Sequence, residues 1–223
     1  MSLSSLFSSS RRGAAARRFH TPAVPAIVMV SIAASGVALG AVKFTSTWAA
    51  PEARAASFKG KKVAALVVSE DMSLRMSAES ALSRELTSRG MTGAVTYSLI
   101  PKEELRDVER AKGWFERAAI AGVVVLRPIS IDKIPKYSPD IWLSTSYSSF
   151  WSYYPYGWTT VYSPPPQVVG HDTVVVVESL IYDVNTGKLL WAGVSEAKNP
   201  KNLQGLVADI VDEAAKKIEK QFK

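Results

Sequence analysis

Acid, base and imidazole chemistry rest on very few residues in this chain. The 223-residue sequence contains two histidines, His20 and His171, and no cysteine. Lack of Cys excludes disulfide frameworks, thiolate zinc sites, iron–sulfur clusters and cysteine nucleophiles. His171 follows Gly170 at the approach to a β-branched run, where a lone His reads as a turn residue rather than a general base. Asp132, Asp172 and Asp183 could serve as acid and base, yet nothing in their spacing brings two carboxylates together. Each reads as a strand-end or turn residue. Ser69-Glu70-Asp71 is the best catalytic candidate, because it follows an apolar strand at the edge where α/β proteins build ligand sites. A hydrolase or nucleotide-binding enzyme would be centred there. The sequence carries no phosphate-cradling glycine loop, dinucleotide fingerprint, His-Glu-x-x-His helix or nucleophile elbow. The expectation is therefore a non-catalytic protein with no cofactor and no metal.

The elements that would position these residues are legible from periodicity. Lys62 to Ser69 is a short β-branched run, consistent with a strand buried on both faces. Leu74, Ala78, Ala81, Leu82 and Leu86 recur at helical spacing, with Gly90 as the stop. Ala94 to Ile100 reads as a second strand. Pro101 opens a helix with Leu105, Val108, Phe115 and Ala119 on one face. Gly122 to Leu126 is a third strand, so the pattern is β-α-β-α-β, for which right-handed crossovers favour a parallel arrangement. Val174 to Asp183 and Lys188 to Ser195 form a hairpin across Asn185-Thr186-Gly187. A last helix starts at an Asn202 cap and lines Leu203, Leu206, Val207, Ile210, Val211, Ala214, Ile218 and Phe222 on one stripe. The fold class is α/β, a three-layer-like mixed sheet of about five strands with a long aromatic insert, a β-hairpin and a C-terminal helix. It is one domain, residues 58–223, preceded by a linker at 45–57 and an export signal or membrane anchor at 1–44.

Charge supports that division. The chain has 27 basic and 20 acidic residues, a formal net charge of +7. Arg11, Arg12, Arg17, Arg18 and Lys43 supply +5 of it within the first 50 residues, which hold no acid, leaving 22 basic and 20 acidic groups elsewhere. Basic charge that serves nucleic acid is concentrated on the folded part, so no nucleic-acid partner is expected. The arginines precede an uncharged segment from Ala26 to Val42, the n-region and h-region of an export signal. A bilayer span takes about 20 residues, so cleavage and retention as an N-terminal anchor are both open. Small residues suited to signal peptidase occur at 38–41 and again at 53–55. The expected location is exported, in the periplasm or cell envelope.

Ten of the 21 aromatic residues fall between Tyr137 and Tyr162. Trp142, Tyr147, Phe150, Trp151, Tyr153, Tyr154, Tyr156, Trp158 and Tyr162 are interleaved with Ser, Thr, Gly and Pro, and Pro164-Pro165-Pro166 closes the stretch. A loop of this length in a compact domain is commonly functional. Two readings are open: the insert folds back to cover one side of the sheet, or it forms an exposed arm whose rings meet a membrane interface, a glycan or another protein chain. The second makes these rings a candidate interaction surface for an envelope protein or for self-assembly.

Thr45-Ser-Thr-Trp48, the helix ending at Gly90, Tyr97-Ser-Leu-Ile-Pro101, the Tyr/Trp/Pro/Gly-rich insert and Tyr182-Asp-Val-Asn-Thr-Gly-Lys-Leu-Leu-Trp191 followed by Ser195-Glu-Ala together resemble a group of uncharacterised bacterial envelope proteins, many of them lipoproteins. In outline the domain is also similar to the α/β domains of the curli secretion channel subunit and of the Tol-Pal translocation protein's amino-terminal region. The resemblance implies an exported accessory domain without catalytic residues. The chain departs from the lipoprotein pattern in having no Cys to acylate, with Ala41-Val42-Lys43 after the h-region.

Overall fold

A computed structural model describes residues 42–54, 57–129, 138–161, 167–169 and 172–221. The leader up to Ala41, both histidines, Asp132, Tyr137, Tyr162 and the triple proline lie outside the described residues.

Seven strands form one mixed sheet: β1 (Val42–Ala49), β2 (Lys62–Val67), β3 (Thr92–Val95), β4 (Gly122–Ile129), β5 (Gln167–Val169), β6 (Asp172–Asp183) and β7 (Leu189–Lys198). Their order is β1-β7-β6-β4-β2-β3, with β5 also pairing to β6. β2, β3 and β4 run parallel, as the crossover rule requires, whereas β4, β6, β7 and β1 are successively antiparallel. α1 (Met72–Ser88) and α6 (Leu203–Gln221) cover one face; α3 (Val108–Arg117), α4 (Thr145–Ser148) and α5 (Phe150–Thr159) cover the other. The expected three-layer α/β architecture is present, and so are its five strands.

Local chemistry fixes the element ends. Asp71 caps α1 by accepting from Ser73 and Leu74 N–H. Gly90 ends the connection with a φ of +81°, a conformation that favours glycine. Asp107 caps α3 through Arg110 N–H, and Asn202 caps α6 through Gly205 N–H. In the hairpin, the Asp183 carboxylate accepts from Asn185 and Thr186 N–H, while Gly187 takes the left-handed φ of the turn.

Three boundaries differ from the sequence reading. The second strand is Thr92–Val95 only, because the chain turns at once into a helical turn, α2 (Thr96–Leu99). The helix expected from Pro101 starts at Val108 after a 3-10 turn at Lys102–Glu104, and Ala119 sits beyond its end with φ +54°. The third concerns the supposed linker: Thr45 to Ala49 belong to β1, which pairs with β7 along its length, and Pro51–Arg54 form a 3-10 turn. Alternation explains the strand. Val42 and Phe44 are buried while Lys43 and Thr45 face out. The Phe44 ring meets Trp191 edge-on at 5.3 Å, and Gly193 makes room for it, since a Cβ there would lie 2.7 Å from both rings.

This placement gives the two candidate cleavage regions different structural consequences. Processing at 38–41 leaves β1 whole, whereas processing at 53–55 removes it and uncovers Trp191. A chain starting at Val42 should therefore match the full chain in denaturant midpoint. One starting at Ala50 should lose at least about 3 kcal/mol, the cost of emptying one buried Phe site. Equal midpoints for the two would show that β1 is dispensable.

Candidate functional site

Two buried ion pairs organise the polar interior. On the face that carries the aromatic insert, Arg127 of β4 and Glu178 of β6 are direct cross-strand partners. The Arg127 Nε donates to Glu178 Oε2 at 2.8 Å, and neither side chain is more than 2% exposed. Tyr147 and Tyr153 hydroxyls donate to the same carboxylate at 2.8 and 3.2 Å, and an Arg127 Nη donates to Thr160 Oγ1 at 2.9 Å. Burying a charged pair is tolerable only when its remaining lone pairs and protons are satisfied, and the insert supplies those partners. Burial, reinforced by the Glu178 charge, holds the Tyr153 and Tyr182 phenols far above the ordinary range.

The aromatic rings are thereby committed to the fold. Trp142, Tyr147, Phe150, Tyr153, Tyr154 and Trp158 are buried; Trp151 and Tyr156 are half-buried, and Tyr162 lies outside the described residues. Phe150 packs on Phe115, Trp151, Tyr154 and Tyr182 at centroid distances between 4.7 and 5.6 Å. An exposed arm of free rings is not what the described residues form. Of the two readings of the insert, the structure takes the one in which it covers the sheet, because only there do the rings and their hydroxyls meet apolar and polar partners together.

The second ion pair sits at the carboxyl ends of the parallel strands. Arg75 and Glu79, one turn apart on α1, are 2% and 0% exposed and meet at 2.9 Å. Glu79 Oε1 also accepts from Thr96 Oγ1 at 2.6 Å and Val67 N–H at 3.2 Å; its Oε2 accepts from Tyr97 N–H at 2.7 Å. Arg75 Nη2 donates to Thr96 Oγ1, and the guanidinium lies 5.5 Å from the Trp158 ring. α1 is thus tied to β2, to α2 and to the insert by one pair of side chains.

Arg75 and Trp158 form the inner wall of a cavity of about 80 Å³, with Ser69, Leu105, Lys102 and Arg106 around them. Glu70 stands at its mouth in an ion pair with Arg106, both more than half exposed. The cavity therefore lies where sequence reasoning put the best catalytic candidate. The roles of its residues differ: the Asp71 carboxylate is the helix cap, and Ser69 Oγ accepts from Asp71 N–H. Asp172 and Asp183 stand at the two ends of β6 and are not brought together. Arg75, Lys102 and Trp158 were not legible as a group, since α1, a 3-10 turn and the insert meet only in the folded chain.

Among the described residues there is no cluster of three or more potential metal ligands, and no helix is long and apolar enough to cross a membrane. No family model matches the chain, and neither does any curated protein. It is similar to two solved PelC dodecamers from Paraburkholderia phytofirmans. One is a leucine-to-methionine variant, 15% identical over 76% of this chain and 91% of that one, with a TM-score of 0.38. The other is 16% identical, covering 76% and 90%, with a TM-score of 0.37. At that level a likeness says nothing about the site, which stands on its own residues.

Proposed function

We propose that this chain is a non-catalytic accessory domain exported to the cell envelope, where it binds another envelope component at the strand-end cavity. The observation that carries the reading is the leader, four arginines and then an uncharged run from Ala26 to Val42, which meets the folded domain at its first strand. The interior supports a binding role. Both buried carboxylates, Glu79 and Glu178, accept from a cation and from hydroxyl or backbone donors, so neither has an oxygen held ready for proton transfer. The aromatic insert contributes to binding through Trp158, as a wall of the cavity, rather than as an arm.

The cavity also bears on the competing reading, an enzyme at Ser69 to Asp71. Sites that hold whole small molecules run to about 300–1,000 Å³, several times the volume here. A nucleotide would not be enclosed.

Protease protection of a C-terminally tagged chain in the native cell tests the reading. The tag should be accessible once the outer boundary of the cell is opened while the inner membrane is intact, and crosslinking should join the chain to a second envelope component. A tag digested only after the inner membrane is lysed would overturn export. An exported chain that crosslinks to nothing would overturn the binding role.

A further inference from the structure

We infer that the leader is cut at residues 38–41 only before β1 docks on β7, so that an uncut chain, once folded, keeps its leader. The inference rests on the export reading above for the leader itself; the coupling to folding follows from where β1 begins.

The sequence leaves no spacer between leader and fold. The uncharged run from Ala26 ends at Val42, and Val42 is the first residue of β1. A cut anywhere within 38–41 therefore has Val42 as, at most, the fourth residue beyond the scissile bond. Four residues of extended chain reach about 14 Å, less than the radius of gyration of about 16 Å for a domain of this size. A peptidase holds several residues on both sides of the bond extended and unpaired, and chain that is paired and buried in a sheet is closed to nicking.

The start of β1 is firmly held. Val42, Lys43 and Phe44 pair with Ala197, Glu196 and Ser195 of β7. Val42 and Phe44 are buried in one cluster with Trp191 and Ala197 of the sheet and Leu206 and Val207 of α6. Beyond Phe44 the pairing shifts register, and the Thr45 hydroxyl donates to the Val194 carbonyl at 3.2 Å across the shift. That irregularity makes Val42–Phe44 the unit that must peel away for the bond to be reached. Peeling uncovers two apolar side chains, which limits the open state to about one chain in a hundred or fewer. Cutting slows in the same proportion, because reclosing outpaces cleavage. Two populations then arise from one sequence: chains processed during synthesis, and chains that fold first and retain the leader.

The test uses the full chain, purified folded in neutral detergent micelles and incubated with signal peptidase, with the cut located by mass spectrometry of the products. It is compared with a variant carrying a flexible Gly/Ser spacer of about eight residues between Ala41 and Val42, and with Phe44→Ala. The spacer leaves β1 and β7 untouched, so its denaturant midpoint should equal that of the parent chain while its cut at 38–41 runs about a hundredfold faster. Phe44→Ala keeps every residue of the cleavage stretch and weakens only the docking, so it should be cut at least about tenfold faster than the parent. If Phe44→Ala does not fold, the spacer comparison decides alone. Equal rates for the parent and spacer chains would overturn the inference, as would a folded parent cut at 53–55 instead. A spacer chain that stays whole would overturn it too, by showing that 38–41 is no processing site. Export stands or falls separately, because the protease-protection experiment does not depend on cleavage.

Discussion

Glu178→Ala should destabilise the domain by about 3–5 kcal/mol, the loss expected when one member of a buried ion pair is removed. The substitution takes the carboxylate away from the Arg127 guanidinium and, in the same step, from the Tyr147 and Tyr153 hydroxyls. Tyr153→Phe, which deletes only one of the donors, should cost about 1 kcal/mol. The pair itself need not be a net source of stability, since a well-packed apolar pair of similar volume can do as well. Accordingly Arg127→Met with Glu178→Leu should recover much of what Glu178→Ala loses. Urea unfolding of the four proteins decides this: a Glu178→Ala loss under about 1 kcal/mol would show that water replaces the carboxylate, and the insert would then be held by its rings alone.

The prediction reaches the candidate site because the insert is one piece. α5 places Tyr153 over Glu178 and, about one turn later, Trp158 beside Arg75. Loosening the first contact should loosen the second. A single helix turn links the sheet's central ion pair to the cavity wall, so the Trp158 indole N–H resonance should shift in Tyr153→Phe even though Tyr153 does not line the cavity.

Much of this fold was legible in the sequence, for identifiable reasons. β2, β4, β6 and β7 are apolar or β-branched runs with turn residues between them, and α1 and α6 carry apolar stripes, with Asn202 as the cap of α6. The end of β3 was not, because Thr96 to Leu99 has the composition of a strand. Tertiary context decides there: Glu79 accepts from Thr96 Oγ1 and Tyr97 N–H, which holds the turn against α1. β1 was hidden by its position, since its first residue also ends the h-region of the leader. α5 was hidden by composition, Tyr, Trp, Ser, Gly and Pro being weak helix formers. Its spacing was nevertheless there to be read: Phe150, Tyr153, Tyr154, Gly157 and Trp158 fall at helical intervals, and these are its buried residues. The strand-end location of the site followed from α/β topology, whereas its inner wall did not, because Arg75 sits in the first turn of α1 and Trp158 is 83 positions away.

High pH should unfold the domain cooperatively, and the buried tyrosines give the sign and the slope. Burial raises the phenols of Tyr153, Tyr154 and Tyr182 above their ordinary 10.0, and the Glu178 charge raises Tyr153 and Tyr182 further. In the unfolded chain all three ionise near 10.0. Below that value both states hold the protons and the stability they confer is fully present. Above it the unfolded chain releases protons that the folded chain keeps, so stability falls as pH rises toward the folded values. Each tyrosine contributes about 1.4 kcal/mol per pH unit, and three together contribute roughly 4. A domain of ordinary stability, about 5–15 kcal/mol, is then unfolded within about one to four pH units above 10. Tyrosinate absorbance followed alongside far-ultraviolet circular dichroism checks the linkage. Tyr153, Tyr154 and Tyr182 should ionise only as ellipticity is lost. Complete ionisation near pH 10 with ellipticity unchanged would mean that these hydroxyls are reached by solvent in the folded chain, and that the insert does not seal the face of the sheet on which Arg127 and Glu178 lie.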